Sequence, residues 1–302
     1  MVYNLMLNDI NNSILKKYTI IGSIGNDNLL RNQVVLMEAN NIKYILKIYS
    51  RDENYFREIY VLNLMNSLGY KQYKINETGY TIKNKPYIIY NYIEGVTFKS
   101  YYEKLQVNDF KNLGQIVGRM HSENKFDYFG GWNGITKKEY MSKSFKKYIG
   151  DLFNRRYNYL VQNNEVEQIY EVAYSKFYKN LDTLEYSDTP RFCFCDLRDD
   201  NILIDNENKD RSINLIDYEQ CCSGDRYKDL YDYYLRLNNS SPLYAEKFLE
   251  GYTKYLNIDT KLLSSMKIIY DLYTGVSLRS WTRLVSEELY VEGLKRLEEQ
   301  CL

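Results

Sequence analysis

The chain has 302 residues, with 40 Lys+Arg exactly balanced by 40 Asp+Glu, 44% hydrophobic and 26% charged. That is the profile of a soluble globular protein long enough for one large or two modest domains, and its even charge gives no reason to expect a nucleic-acid partner. No apolar run approaches eighteen residues and the start, MVYNLMLND, has no basic stretch before an apolar core, so a cytoplasmic protein without a membrane partner is expected.

From 18 to 50 the pattern is that of strands: 18–24, 33–39 and 44–49 are apolar and β-branched, with Asn40-Asn41 as a turn. The turn Gly22-Ser23-Ile24-Gly25-Asn26-Asp27-Asn28 is small enough for backbone amides to approach phosphates, and reads equally as a plain hairpin turn. Lys47 lies inside an apolar strand, where a lysine needs a partner. Residues 55–65 carry apolar side chains at helical spacing, with Glu58 in the first turns, either a partner for that lysine or a solvated face residue. Strands at 73–79 and 86–92 lead to Tyr90-Asn91-Tyr92-Ile93-Glu94-Gly95, beyond which the pattern turns helical.

The helix 110–121 has Leu113, Ile116, Val117 and Met120 on one face and ends in His121, the sole histidine. A sole histidine there reads as a structural hydrogen-bonder, and it argues against a Ser-His-Asp hydrolase or a histidine-rich zinc site. After a loop at 130–136, residues 137–184 read as long amphipathic helices rich in Tyr and Lys. Pro190 ends them and admits a strand. Beyond Asp229 the chain is helical, broken at Ser240-Ser241-Pro242 and Leu256-Asn257. Residues 1–91 carry 11 basic against 7 acidic residues and the remainder 29 against 33, a small bias suited to phosphates on one side and a cation on the other.

The chemistry concentrates at 191–219. Two apolar runs, 191–195 and 212–216, read as buried strands flanking a polar loop, with Asp196 and Asn201 at the end of the first and Asp217 at the end of the second. Phosphoryl transfer needs a carboxylate near the attacking hydroxyl and hard oxygen ligands for a divalent ion on the nucleotide phosphates. Asp196, Asn201 and Asp217 are the right types in the right order. Five cysteines, with Cys193 and Cys195 on one strand face and Cys221-Cys222 after the neighbouring strand, read as buried reduced thiols, with a fortuitous metal or disulfide as the alternative. The 34 tyrosines read as AT-rich codon usage or as aromatic recognition, and tyrosine serves half-buried positions well.

Asp-Leu-Arg-Asp-Asp-Asn-Ile-Leu-Ile-Asp, then Leu-Ile-Asp-Tyr-Glu, Gly224-Asp225 and Asp229-Leu230, resemble the aminoglycoside phosphotransferase and choline kinase family. The usual His-Gly before the catalytic Asp is Phe194-Cys195 here, a departure that bears on loop geometry. The resemblance implies an α+β, protein-kinase-like fold: an antiparallel-sheet nucleotide-binding lobe at 1–91 with one helix, a hinge at 90–95, and a mainly helical catalytic and acceptor-binding lobe at 92–302. It implies an ATP- or GTP-dependent, Mg2+-requiring O-phosphotransferase for a small-molecule acceptor, with a monomer favoured.

Residue by residue, Asp196 orients the acceptor hydroxyl and takes its proton, while Asn201 and Asp217 hold Mg2+. Lys47 with Glu58, the loop at Gly25, and main-chain groups of Asn91 and Ile93 hold the nucleotide. Arg198 reads either as a group on the transferred phosphoryl or as a solvated loop arginine. Asp199 and Asp200, joined by Glu219 and the glutamates of the last helix, are expected to face a cationic acceptor. An aminoglycoside-type antibiotic and a choline- or ethanolamine-type amino alcohol both fit, and the altered Phe194-Cys195 motif keeps open a nucleotide-binding scaffold without turnover.

Overall fold

The computed structural model describes residues 12–24, 32–70, 74–132, 141–163, 168–208, 211–283 and 286–302. Contacts divide the chain into two compact units, Met1–Tyr101 with Asp199–Cys221, and Tyr102–Arg198 with Cys222–Leu302.

In the first unit a short helix α1 (Asn12–Lys17) precedes strands β1 (Thr19–Ser23), β2 (Asn32–Ala39) and β3 (Ile42–Tyr49). Helix α2 (Asp52–Ser67) follows, then β4 (Ile75–Tyr80) and β5 (Pro86–Asn91). The five strands form one antiparallel sheet in the order β1-β2-β3-β5-β4. Asn40 and Asn41 both take positive φ, 53° and 61°, the geometry a two-residue hairpin turn demands and asparagine tolerates.

Strand periodicity sorts β3 by face. Leu46 and Ile48 join Val35, Met37, Tyr87, Ile89 and Ile14 in one buried cluster, each side chain contributing about 2 kcal/mol by burial. Ile45, Lys47 and Tyr49 alternate with them onto the opposite face. Helix α2 buries Tyr55, Glu58, Val61, Leu62 and Met65, a stripe at helical spacing, and Asp52 and Glu53 in its first turn suit the helix dipole.

Strand β6 (Val96–Thr97) and helix α3 (Phe98–Tyr101) complete this unit together with residues 199–221. Strand β7 (Arg191–Cys193) belongs to the second unit, whereas β8 (Ile202–Ile204) and β9 (Ile213–Leu215) join β6 in a three-stranded antiparallel sheet. Asn201 therefore does not end the first apolar strand as expected from sequence. It closes a 3-10 turn, Asp199–Asn201, that opens a separate strand. Three residues are too few to show alternation.

The second unit contains α4 (Val107–Glu123), α5 (Phe145–Gln162) and α6 (Gln168–Thr183), then strand β10 (Cys222–Gly224) paired with β7. Helix α7 (Arg226–Asp229), a π-helical stretch (Leu230–Leu235), α8 (Arg236–Ser240), α9 (Pro242–Tyr252), α10 (Thr260–Trp281) and α11 (Glu287–Cys301) follow. Ser144, Asp259 and Ser286 cap α5, α10 and α11 by accepting backbone amides, and Gln106 with Asp109 forms a capping box on α4. Helices α4 and α9 cross backbone to backbone: a Cβ at Gly251 would stand 1.9 Å from the Lys111 carbonyl oxygen, and one at Gly114 2.0 Å from that of Phe248. This approach sets His121 beside Tyr252.

Several buried or half-buried tyrosines point their hydroxyls at buried carboxylates. Tyr186 and Tyr270 each donate to Asp225 at 2.7 Å, and Tyr231 donates to Asp271 at 2.6 Å. In the first unit Tyr49 donates to Glu58 at 2.7 Å. Among the described residues no helix is long and apolar enough to cross a membrane.

Candidate active site

The buried face of β3 carries Lys47, 3% exposed, directly against α2. Its Nζ lies 2.7 Å from Glu58, 2.6 Å from Asp217 and 3.3 Å from Glu219. Burial alone favours the uncharged amine, but the three carboxylates outweigh it and hold the Lys47 pKa well above that of a free lysine. Burial pushes the Glu58 carboxyl up, with Lys47 opposing. Glu58 also accepts from the Tyr49 hydroxyl, so its position is fixed from strand and helix together.

Glu219 is 6% exposed, its side chain accepts from the Asn32 amide, and its carbonyl accepts from Arg57 at 2.7 Å. This corrects the expectation that Glu219 faces an acceptor cation: a 3-10 turn, Tyr218–Gln220, carries it inward to Lys47. Asp217, at a positive φ of 66°, turns the chain from β9 into that element. Its side chain is 34% accessible, against 2% for Glu58 and 8% for Glu219. Of the three carboxylates, Asp217 is the one presented outward.

Glu58, Asp217 and Glu219 bring carboxylate oxygens within 4.8 Å of one another. Asn201 is buried, and its carbonyl accepts the amide of Ile216, the residue before Asp217, at 3.0 Å. Carboxylate and amide oxygens are the hard donors that suit Mg2+, so the residues present fit that ion. Asp200 pairs with Lys99 at 3.2 Å on the surface of the same unit. Gly95, at φ 144°, lets the segment after β5 run against β8, where a Cβ would stand 2.8 Å from the Ile204 carbonyl oxygen. The Asn91 amide already donates to Lys74 at 3.2 Å, so a purine contact at Asn91 has to use its carbonyl. Gly25, and with it most of the turn expected at phosphates, lies outside the described residues.

In the second unit, Asp196 stands three residues beyond β7, and Arg198 Nε lies 3.3 Å from its carboxylate. The loop is braced from within the helices. Asp229, fully buried, accepts the backbone amides of Phe194 at 2.6 Å and Cys195 at 2.7 Å. His121 Nε2 lies 3.1 Å from the same carboxylate, and its Nδ1 lies 2.9 Å from the Tyr252 hydroxyl. Since a carboxylate only accepts, Nε2–H donates to Asp229, while Nδ1 shares a hydrogen bond with the Tyr252 hydroxyl. The sequence reading of His121 as a structural hydrogen-bonder matches this geometry.

Cys195 has φ 62°, the left-handed conformation that glycine adopts without cost. The turn expected of a glycine before Asp196 is thus kept by a cysteine. Sequence reasoning missed Asp229 and Tyr252 as the brace and Glu219 as a Lys47 partner. The only available signal was Asp229-Leu230 as one fragment of the resemblance.

A five-stranded antiparallel sheet with a buried Lys–Glu pair, and a mainly helical unit presenting an Asp on a braced loop, define a protein-kinase-like fold. Residues 25–261 match the phosphotransferase enzyme family, and the chain belongs to that family; it is a small-molecule kinase. No curated protein matches it in sequence. Solved structures show the same fold at low identity. A thermostable mutant of aminoglycoside phosphotransferase APH(4)-Ia, in ternary complex with AMP-PNP and hygromycin B, is 12% identical with a TM-score of 0.71, covering 96% of this chain and 97% of that one. Choline kinase LicA from Streptococcus pneumoniae is 18% identical with a TM-score of 0.64 over 96% and 95%. ADP-bound aminoglycoside phosphotransferase APH(2'')-Ib is 16% identical with a TM-score of 0.61 over 96% and 95%.

Proposed function

We propose that the chain transfers the γ-phosphoryl group of ATP or GTP to a hydroxyl of a small cationic acceptor of the aminoglycoside type. The observation that carries this reading is the buried Lys47, held charged by Glu58 and reaching Asp217, a cation poised for nucleotide phosphates beside a hard-oxygen donor set. Mg2+, when bound, neutralises charge on the β- and γ-phosphates, with Asp217 and Asn201 as its ligands. Asp196 aligns the acceptor hydroxyl and accepts its proton as the phosphoryl leaves ADP or GDP. Arg198, beside Asp196, meets the charge on the transferred group. Asp199 and Asp200 contribute negative potential toward the acceptor, tempered at Asp200 by Lys99.

The likeness to a choline kinase supports a second acceptor class, a choline- or ethanolamine-type amino alcohol. The test is nucleotide consumption by the purified protein with Mg2+ across aminoglycosides, amino alcohols, neutral macrolides and sugars. A cationic acceptor should give the highest kcat/KM, with KM rising with salt through screening over about 10 Å. Asp217→Ala should lose Mg2+-dependent turnover. A neutral macrolide as best substrate, without salt dependence, would refute the cationic acceptor, and turnover unchanged in Asp217→Ala would refute the metal assignment.

A further inference from the structure

Strand β10 lays Cys222 opposite Cys193 of β7, and two residues later the positive φ at Cys195 turns that thiol onto Cys222, with the two sulfurs 3.4 Å apart. A disulfide requires about 2.04 Å, a closure of roughly 1.4 Å. Cys195 and Cys222 are both half-buried as residues, whereas Cys193 is closed off. Gly224 leaves the room these side chains occupy: a Cβ there would stand 3.0 Å from the Cys222 sulfur and 3.1 Å from that of Cys193.

We propose that Cys195 and Cys222 form a reversible dithiol–disulfide pair whose oxidation by a peroxide displaces the loop carrying Asp196. One thiolate attacks the peroxide, breaking its O–O bond to give a sulfenic acid and, after proton uptake, one water. The second thiolate then displaces the sulfenic oxygen, which leaves as the second water; the S–S bond forms and two electrons pass to the peroxide. A low-molecular-weight dithiol reverses the link by exchange. The hydrogen bond with Cys193 and burial push the Cys195 thiol up, so this thiol rests protonated near neutrality and its oxidation quickens as pH rises. The link draws Cys195 toward Cys222 of β10 and loads the Cys195 amide bond to Asp229, and Asp196 is the next residue. The effect on turnover rests on the phosphotransferase reading; the link itself does not.

The full chain is treated with hydrogen peroxide at alkaline pH and examined by intact mass, fragmentation of non-reduced peptides, amide hydrogen exchange and nucleotide consumption. The expected result is a loss of about 2 Da and a Cys195–Cys222 linkage. Faster exchange at the Phe194 and Cys195 amides and an about tenfold fall in turnover should accompany it. Dithiothreitol should restore all four, and Cys222→Ser should show none of the changes while keeping the untreated rate. Sulfinic acid without a link, a linkage between any other cysteines, or a Cys195–Cys222 link that leaves exchange unaltered would overturn the proposal. Untreated protein that consumes no nucleotide counts against the phosphotransferase reading alone, since mass and exchange still decide the pair.

Discussion

The Lys47 ammonium lies 2.6 Å from the Asp217 carboxylate, so the cation of β3 already holds the residue proposed as the metal ligand. Its removal leaves Glu58, Asp217 and Glu219 facing one another. Lys47→Met should cost about 3–5 kcal/mol of stability, the range for stripping one partner from a buried ion pair. Mg2+ should raise the melting temperature of the variant more than that of the wild type, because the three carboxylates then lack their internal cation. Equal Mg2+ responses in the two thermal scans would contradict this convergence.

Asp196 and Arg198 should separate kinetically. Asp196→Asn keeps the size of the side chain but not its basicity, so kcat should fall by orders of magnitude with nucleotide affinity near normal. Arg198→Ala should lower kcat more modestly, again sparing nucleotide affinity, if its guanidinium meets the transferred phosphoryl. Nucleotide titrations alongside initial rates check both, and a wild-type rate in the arginine variant would mark it as a solvated loop residue.

Asp229 uses both carboxylate oxygens on the Phe194 and Cys195 amides. In Asp229→Asn one amide faces an NH2 group, losing a charge-assisted bond of about 1.5–3 kcal/mol and leaving a buried donor without an acceptor. Urea unfolding should register this loss, with kcat reduced and nucleotide affinity little changed. A variant as stable as the wild type would show that the brace contributes nothing.

Asp225 is 2% exposed, and burial raises its pKa to about 6 from 3.8 even with Tyr186 and Tyr270 donating to it. The folded state therefore holds a proton that the unfolded chain releases between these values, and stability falls as pH rises from about 4 to 6. A shift of about two units corresponds to roughly 3 kcal/mol. Relative to wild type, Asp225→Asn should gain stability between pH 4 and pH 7, as measured by urea unfolding at both ends. Parallel curves would rule the contribution out.

The Lys47–Glu58 pair was legible because a lysine in an apolar strand, followed by a glutamate on a helix, poses a local question with a local answer eleven residues away. The strands to 49 and helix α2 were readable for the same reason: alternation and helical spacing persist over eight or more residues. The brace on the Asp196 loop was not readable, since Asp229 lies 34 residues after Cys195 and acts on backbone amides, which leave no trace in side-chain identity. Glu219 was misjudged because its direction depends on the left-handed turn at Asp217, and a tyrosine-glutamate pair after an aspartate does not announce a positive φ.

The tyrosine hydroxyls turned toward buried acids give the chain a built-in reporter of its own unfolding in alkali. Burial, with neighbouring carboxylates and tyrosines adding to it, pushes the phenols of Tyr49, Tyr186 and Tyr270 upward, and burial outweighs nearby arginines at Tyr231 and Tyr252 to the same effect. While the fold persists, these rings stay protonated at pH values where solvated tyrosines ionise. Each raised phenol pKa removes stability as pH climbs past 10, because only the unfolded chain can then release its protons. The ultraviolet phenolate signal should accordingly divide into a gradual rise from exposed rings and an abrupt one coincident with loss of helix.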